Sequence, residues 1–308
     1  MRLCITLGLL LSFALGCSQS SIRPYRPPPP SAAETEKPAS PTPLLAPAKS
    51  PAPKNPGLSL FRPLAAPRFK NKNYLPTHLH LQDRTVMVLV PAGTYQVNAP
   101  SSSKSATRLT AVTLPAFYID RTEITVERYQ AFQDAYDETG FTGEPSCPQC
   151  PAVGIDWHSA RRYCLWAGKQ LPTEAEWEAA ARGPSSQRLP WGHKHSAQTG
   201  NILGAEDGFD WLAPVGSFPR GASPFAALDM IGNAWEWVRP VPAVALAGEA
   251  RPSGEKFQRV KGGSWRSPKQ MAVISFRNTV ESTVKNPTFG FRCAKPAALL
   301  SNKGSGNK

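Results

Sequence analysis

Residues 171–183 read LPTEAEWEAAARG and residues 231–238 read IGNAWEWV. In the first, Thr173 stands three residues before Glu176. The threonine hydroxyl can accept from the third amide of a helix while Glu176 reaches back to the Thr173 amide, and this capping box opens a helix through Ala181. Outward toward the N-terminus, Asp156 caps a further helix through Ala167, with Ala160, Tyr163 and Cys164 on one face and Gly168 as its stop. Before it, Val126, Tyr129, Phe132 and Tyr136 recur at helical spacing and predict an amphipathic helix over 125–136. The β-branched run Thr85–Val90 ends at Pro91-Ala92-Gly93 and reads as a strand and turn. Toward the C-terminus, regular periodicity stops at Gly183. Gly, Pro, Asn, Asp and Trp dominate as far as about residue 256. So long an irregular stretch in a packed domain needs metal ions, disulfides or aromatic packing to hold it. Short strands are expected again at Phe257–Lys261, Ala272–Phe276 and Phe289–Cys293. The expected class is α+β with low regular secondary structure.

The flanks are of another kind. Fourteen of the 33 prolines fall between Pro24 and Pro67, including the run Pro27–Pro30. Residues 18–80 lack the apolar periodicity that offsets chain entropy and are read as an extended, basic, Pro-rich linker. The folded domain is expected over 85–295 and a disordered tail over 296–308. The net charge of +13 divides accordingly: residues 1–84 hold 11 Lys/Arg against 3 Asp/Glu, residues 85–294 hold 21 against 19, and the tail from Lys295 adds three lysines. The basicity belongs to tether and tail. No basic motif interleaved with aromatics marks the domain as nucleic-acid binding.

Met1-Arg2, the apolar run Leu3–Leu15 and Gly16-Cys17-Ser18 have the parts of a secretory signal peptide, residues 1–17. The run is shorter than the roughly 20 apolar residues of a membrane-spanning helix. Ala14-Leu15-Gly16-Cys17 resembles a bacterial lipobox, with Ala and Leu where the usual pattern has Leu and a small residue. That resemblance implies acylation of Cys17, a membrane tie through the lipid, and an outer-membrane lipoprotein facing the periplasm or the surface. In such an oxidising compartment Cys147, Cys150, Cys164 and Cys293 read as disulfides rather than a thiolate zinc site, and four cysteines allow three pairings. The Cys147-Pro148-Gln149-Cys150 loop is short enough to close on itself, which leaves Cys164 for Cys293. The alternative is a redox-active Cys-x-x-Cys pair, though nothing around it reads as a thioredoxin-type unit.

Several segments then fall into one order: MVLVPAG, FYIDRTEITVERYQAF, GIDWHSARRYCLWAGKQLPTEAEWEAAARG, LPWG, NILGAEDGF, PVGSFPRGASPFAALDMIGNAWEWV, RVKGGSW and FGFRCA. Across about residues 85–295 they resemble the formylglycine-generating (sulfatase-modifying factor) family. The resemblance implies a variant of the C-type lectin fold and two structural calcium ions. For the first ion the matching residues are Asn201, Ile202, Asp207 and Phe209. For the second they are Asp229, Gly232, Ala234 and Glu236. Side-chain oxygens mixed with carbonyls of irregular backbone suit calcium, which takes six to eight oxygens in a flexible shell. By the same resemblance Trp235 and Ser264 match groove residues, and Trp265, Ser267 and Arg277 are further groove candidates.

The catalytic comparison points the other way. In the copper-dependent members two cysteines follow the Gly-Gly-Ser-aromatic motif, and their thiolates hold Cu(I), which needs soft sulfur ligands. This chain has Ser267 and Ala272 at those positions, and Thr288 stands where the family has an asparagine before Gly-Phe-Arg-Cys. No catalytic residue is assigned and no copper is expected. His193 and His195 form only a weak metal pattern in a polar loop, and His78 and His80 fall at the linker's end. Two function classes follow. One is a non-catalytic binding or scaffolding module for a peptide, glycan or envelope protein. The other is an oxidoreductase of the formylglycine-generating or non-haem iron type, acting on an exported peptide or small molecule.

Overall fold

The Thr85–Val90 run forms a strand where the sequence predicts one, and it has neighbours on both sides that the sequence hides. The computed structural model describes residues 61–64, 77–98, 108–204, 206–240 and 256–297. Along the chain come β1 (Phe61–Leu64), β2 (Thr77–His80), β3 (Val86–Val90), β4 (Gly93–Asn98), β5 (Leu109–Leu114) and β6 (Phe117–Asp120). Four helices follow: α1 (Val126–Gln130), α2 (Thr139–Thr142), α3 (Trp157–Trp166) and α4 (Glu174–Arg182). After the irregular stretch come β7 (Trp235–Val238), β8 (Phe257–Lys261), β9 (Arg277–Glu281), β10 (Phe289–Gly290) and β11 (Ala294–Pro296). One sheet has the order β1-β2-β3-β6-β11, a second β10-β7-β8-β9, and β4-β5 is a separate ribbon. The last strand pairs with β6, Ala294 opposite Ile119, so both ends of the domain meet in one sheet.

The helix starts follow their caps. Asp156 accepts from the Ser159 amide, and Thr173 and Glu176 complete the capping box on α4. The segment 125–136 departs from expectation, since α1 stops at Gln130. The aromatic positions face one core, but tertiary bonds outweigh helix continuation: Tyr136 donates its hydroxyl to the Val153 carbonyl and accepts from the Val153 amide. Ala272–Phe276 is not a strand either. Ala272, Val273 and Ile274 are buried as a turn, and β9 begins at Arg277. A short apolar run without alternation does not distinguish strand from buried turn. Of the expected strand Phe289–Cys293 only Phe289–Gly290 forms one, β10, and β11 begins after it at Ala294.

The folded region also starts before the expected boundary. β2 extends the sheet through β3, and its His80 is fully buried, with Nδ1 2.7 Å from Asp83 Oδ1. Lys169 Nζ lies 2.5 Å from Asp83 Oδ2 and 2.8 Å from Asp120 Oδ1. This attachment is ionic, so hydrophobic patterning gives no sign of it. At the other end Pro296 is in β11 and the Ala297 amide donates to Ala116, placing both with the sheet rather than the tail. The signal segment with Cys17, most of the linker and residues 298–308 lie outside the described residues.

Both expected disulfides are present, Cys147–Cys150 and Cys164–Cys293. The second ties the C-terminal turn of α3 to the entry of β11 across 129 residues. Closing so long a loop is worth about 2–4 kcal/mol. The double variant Cys164→Ala/Cys293→Ala should lose that much unfolding free energy in urea titration, whereas Cys147→Ala/Cys150→Ala, which opens a three-residue separation, should lose clearly less.

Candidate functional site

Arg292 is fully buried between β10 and β11, where a bare guanidinium would be very costly. Its Nε donates to Glu236 Oε2 at 2.7 Å and its Nη2 to Glu236 Oε1 at 2.8 Å. Nη2 also donates to the Leu228 carbonyl, and Nη1 to the carbonyls of Asp120 and Arg121. All five donors are thereby used. Trp177 Nε1 of α4 adds a bond of 2.7 Å to Glu236 Oε2. One ion pair thus joins β6, α4, β7 and the β10–β11 link.

Beside it lie two further buried carboxyl groups. Neither oxygen of Glu123 nor Oδ1 of Asp229 has a donor from elsewhere among the described residues, the two carboxyl groups lie within hydrogen-bonding reach of each other, and Asp229 Oδ2 accepts the Gly216 amide at 2.6 Å. Burial, and next the Asp229 charge, push Glu123 well above the usual carboxylate range. Burial likewise raises Asp229, to about 6, against the opposing Gly216 amide and Arg292. Such a pair titrates as a unit and keeps a proton that isolated carboxylates would release.

The two calcium sets differ in how they fit. In the first, Asp207 Oδ2 accepts the Ile202 amide at 3.2 Å and Oδ1 the Phe209 amide at 3.1 Å, so one carboxylate gathers this loop. Asn201 donates Nδ2 to the Trp211 carbonyl and leaves its oxygen as an acceptor. These residues suit a hard cation: Asn201 and Asp207 would hold it with the carbonyls of Ile202 and Phe209, and it would lock the loop. The second set does not assemble in the same way. Glu236 is committed to Arg292 and Trp177, so a guanidinium provides the positive charge that a metal was expected to bring. Gly232 would offer only its carbonyl, and its lack of a side chain serves the close crossing with Asn201, whose carbonyl oxygen a Cβ would meet, at a φ of +86° that favours glycine. Among the described residues no three His, Cys, Asp or Glu side chains form a metal cluster.

The positions that carry copper thiolates in relatives are side by side and closed. A Cβ built on Gly263 would lie 3.3 Å from both Ser267 Cβ and Ala272 Cβ. Ser267 and Ala272 are buried, and so is Ser264. The Ser264 amide donates to Ser267 Oγ at 2.9 Å, the two hydroxyl oxygens are 3.3 Å apart, and the Ser267 amide donates to the Ser264 carbonyl. Two of the groove candidates are structural instead. Trp235 is buried against Phe276, and Arg277 is buried with a guanidinium nitrogen 3.2 Å from Glu174 Oε1. β7 is buried along its whole length, so Trp235 has no solvent face. Trp265 alone of the five is half-exposed. It packs with Trp211 and Cys147 over Cys150 and Leu212, under the Arg266 guanidinium 4.5 Å from its ring. Leu203, more than half exposed, joins this edge through its amide bond to the Ser267 carbonyl. Sequence reading missed Leu203 and Arg266, which carry no motif. Of the histidines, His193 is exposed and His195 half-buried, while His78 packs edge-on against Tyr118.

A central ion pair, a loop gathered by one aspartate and a sealed thiolate position define a sulfatase-modifying-factor architecture without its soft ligands. The sulfatase-modifying factor enzyme 1-like domain matches residues 74–297, and the chain belongs to that family. The chain is 34% identical over 184 residues to Bos taurus "inactive C-alpha-formylglycine-generating enzyme 2", covering 52% of this chain and 58% of that one. To Bos taurus formylglycine-generating enzyme it is 36% identical over 170 residues, covering 48% and 44%. The chain spans about half the length of the curated relatives it matches. It superposes on PvdO from Pseudomonas aeruginosa with a TM-score of 0.58 and 26% identity, covering 70% of this chain and 95% of that one. The fold is the formylglycine-generating-enzyme-like variant of the C-type lectin fold.

Two substitutions separate the roles in the core. Arg292→Met strands Glu236 and should cost about 3–5 kcal/mol. Glu123→Gln replaces a group that already holds its proton and should be tolerated. Because Glu123 and Asp229 are both raised, the folded chain binds a proton that the unfolded chain releases. Their stabilising contribution is complete below the unfolded carboxylate range, about pH 4; the part from Asp229 is lost as pH rises through about 6, and that from Glu123 is lost only well above the usual carboxylate range. Urea titrations in chelator should show unfolding free energy falling over that window, with a flatter slope in Glu123→Gln.

Proposed function

We propose that this chain is a tethered, non-catalytic binding module that keeps the family fold and has given up its copper chemistry. The observation that carries the reading is the pair Ser267 and Ala272. They occupy neighbouring buried positions, and a hydroxyl bonded to Ser264 with a methyl group cannot hold Cu(I) as two thiolates do. Binding then falls to the surface beside them, the edge of Trp265, Trp211 and Leu203, for a peptide, glycan or envelope protein. Calcium belongs to the first loop, on Asn201, Ile202, Asp207 and Phe209. The signal-like segment and Cys17 support a reading in which the module belongs to the cell envelope, anchored by a lipid, with the Pro-rich linker as its tether.

Each part has a direct check. Protein purified from the envelope should contain no stoichiometric copper or iron and should consume no oxygen with a cysteine peptide; the opposite result overturns the binding reading. Ser267→Cys/Ala272→Cys should acquire Cu(I), read by metal analysis, since the two positions are already adjacent. Chelation should lower the unfolding free energy and calcium should restore it, by up to about 3 kcal/mol at a hundredfold excess over Kd, with no effect in Asp207→Asn. Cys17→Ser should abolish incorporation of a labelled fatty acid.

A further inference from the structure

The surface around the sealed site is charged asymmetrically. Residues 184–200 contain Arg188 and Lys194, residues 265–276 contain Arg266 and Lys269, and neither segment holds an Asp or Glu. The domain as a whole is nearly balanced, so this is a local excess. The two segments are joined, because the Ile274 amide donates to the Arg188 carbonyl at 3.2 Å and the His195 ring bonds the Lys269 backbone. Arg188, Lys194, Arg266 and Lys269 are exposed and make no ion pair among the described residues. The buried cations Lys169, Lys261 and Arg292, by contrast, each have a carboxylate within 2.8 Å. His195, half-buried, lies close enough to Arg188 and Lys269 for both charges to act on its ring.

We propose that this face, Arg188, Lys194, His195 and Lys269 with Leu203 at its edge, docks a carboxylate-rich peptide segment of a partner protein. The inference rests on the binding-module reading and names the chemistry of its partner. Ammonium and guanidinium groups without partners match carboxylates through charge-assisted hydrogen bonds. Leu203, 57% exposed and hydrogen-bonded through its amide to Ser267, offers the apolar step that an amphipathic peptide fills. A nucleic acid fits less well, because base stacking needs an open aromatic face and Arg266 covers Trp265. Beyond Leu203 the chain turns acidic, with Glu206, Asp207 and Asp210.

The test uses the full chain and fluorescence anisotropy with a short labelled peptide of alternating Glu and Leu, beside its Gln and Leu counterpart. The Glu peptide should bind at least about tenfold more tightly, and the difference should shrink as salt is raised from low to near-molar concentration. Arg188→Gln/Lys194→Gln/Lys269→Gln should lose about tenfold in affinity at an unchanged melting temperature, since all three side chains are exposed. Equal binding of the two peptides, no binding, an unaffected triple variant, or tighter binding of anionic vesicles or a single-stranded oligonucleotide would each overturn the proposal. A partner that survives the triple variant yet is lost in Trp265→Ala leaves the module reading intact and removes the cationic face from it.

Discussion

The pairing of Arg292 with Glu236 is the constraint on which the rest of this fold depends. Over fifty residues separate the two in sequence, and only the two-residue ladder of β7 with β10, Glu236 opposite Gly290, runs beside them. Their meeting fixes where β7 lies against the link between β10 and β11. Because the guanidinium also takes carbonyls from Asp120, Arg121 and Leu228, it registers the first sheet against the irregular stretch that precedes β7. A buried pair of this kind adds little net stability compared with apolar packing of equal volume. What it provides is uniqueness. A chain with few helices and short strands has many compact arrangements, and only one of them satisfies five guanidinium donors at once.

Around that centre, polar contacts do the work that secondary structure does elsewhere. The amide of Asn233 donates to the Asn201 carbonyl, Asn233 Oδ1 accepts from the Ala213 amide, and its Nδ2 donates to the Ala213 carbonyl. Asn233 has a φ of +59° and Gly232 one of +86°, so a left-handed pair of residues carries the chain across this crossing. Asparagine tolerates that conformation because its short side chain can bond locally. Lys169 plays a similar part on the far side, between Asp83 and Asp120. Long irregular stretches are thus pinned at points, and the disulfide Cys164–Cys293 closes the largest loop between them.

This explains what could be read from the residues in order. Capping boxes and N-caps are local, so the starts of α3 and α4 were legible at Asp156 and Thr173. The β-branched run of β3 was legible for the same reason, as was the short Cys147–Cys150 loop. Strand β7 was not, since Trp235–Val238 is buried on both faces and shows no alternation. Nor was the polar attachment of β2, where His80 and Asp83 are buried by ion pairing with a lysine far along the chain. The motif around Glu236 marked the residue as significant by resemblance. Its partner decides its role, and no spacing in the sequence shows that Arg292 reaches it.

The same distinction bears on how such a domain changes function. The Arg292 centre and the Ser267–Ala272 position use separate side chains. Removing two thiolates therefore leaves every donor of Arg292 satisfied and every cap in place. The position is closed by small groups, a hydroxyl bonded to Ser264 and a methyl against Gly263. Loss of a metal site usually leaves ligands unsatisfied and costs stability. Here Ser267 is paired with Ser264 and Ala272 brings no polar group, so the position is closed without a metal.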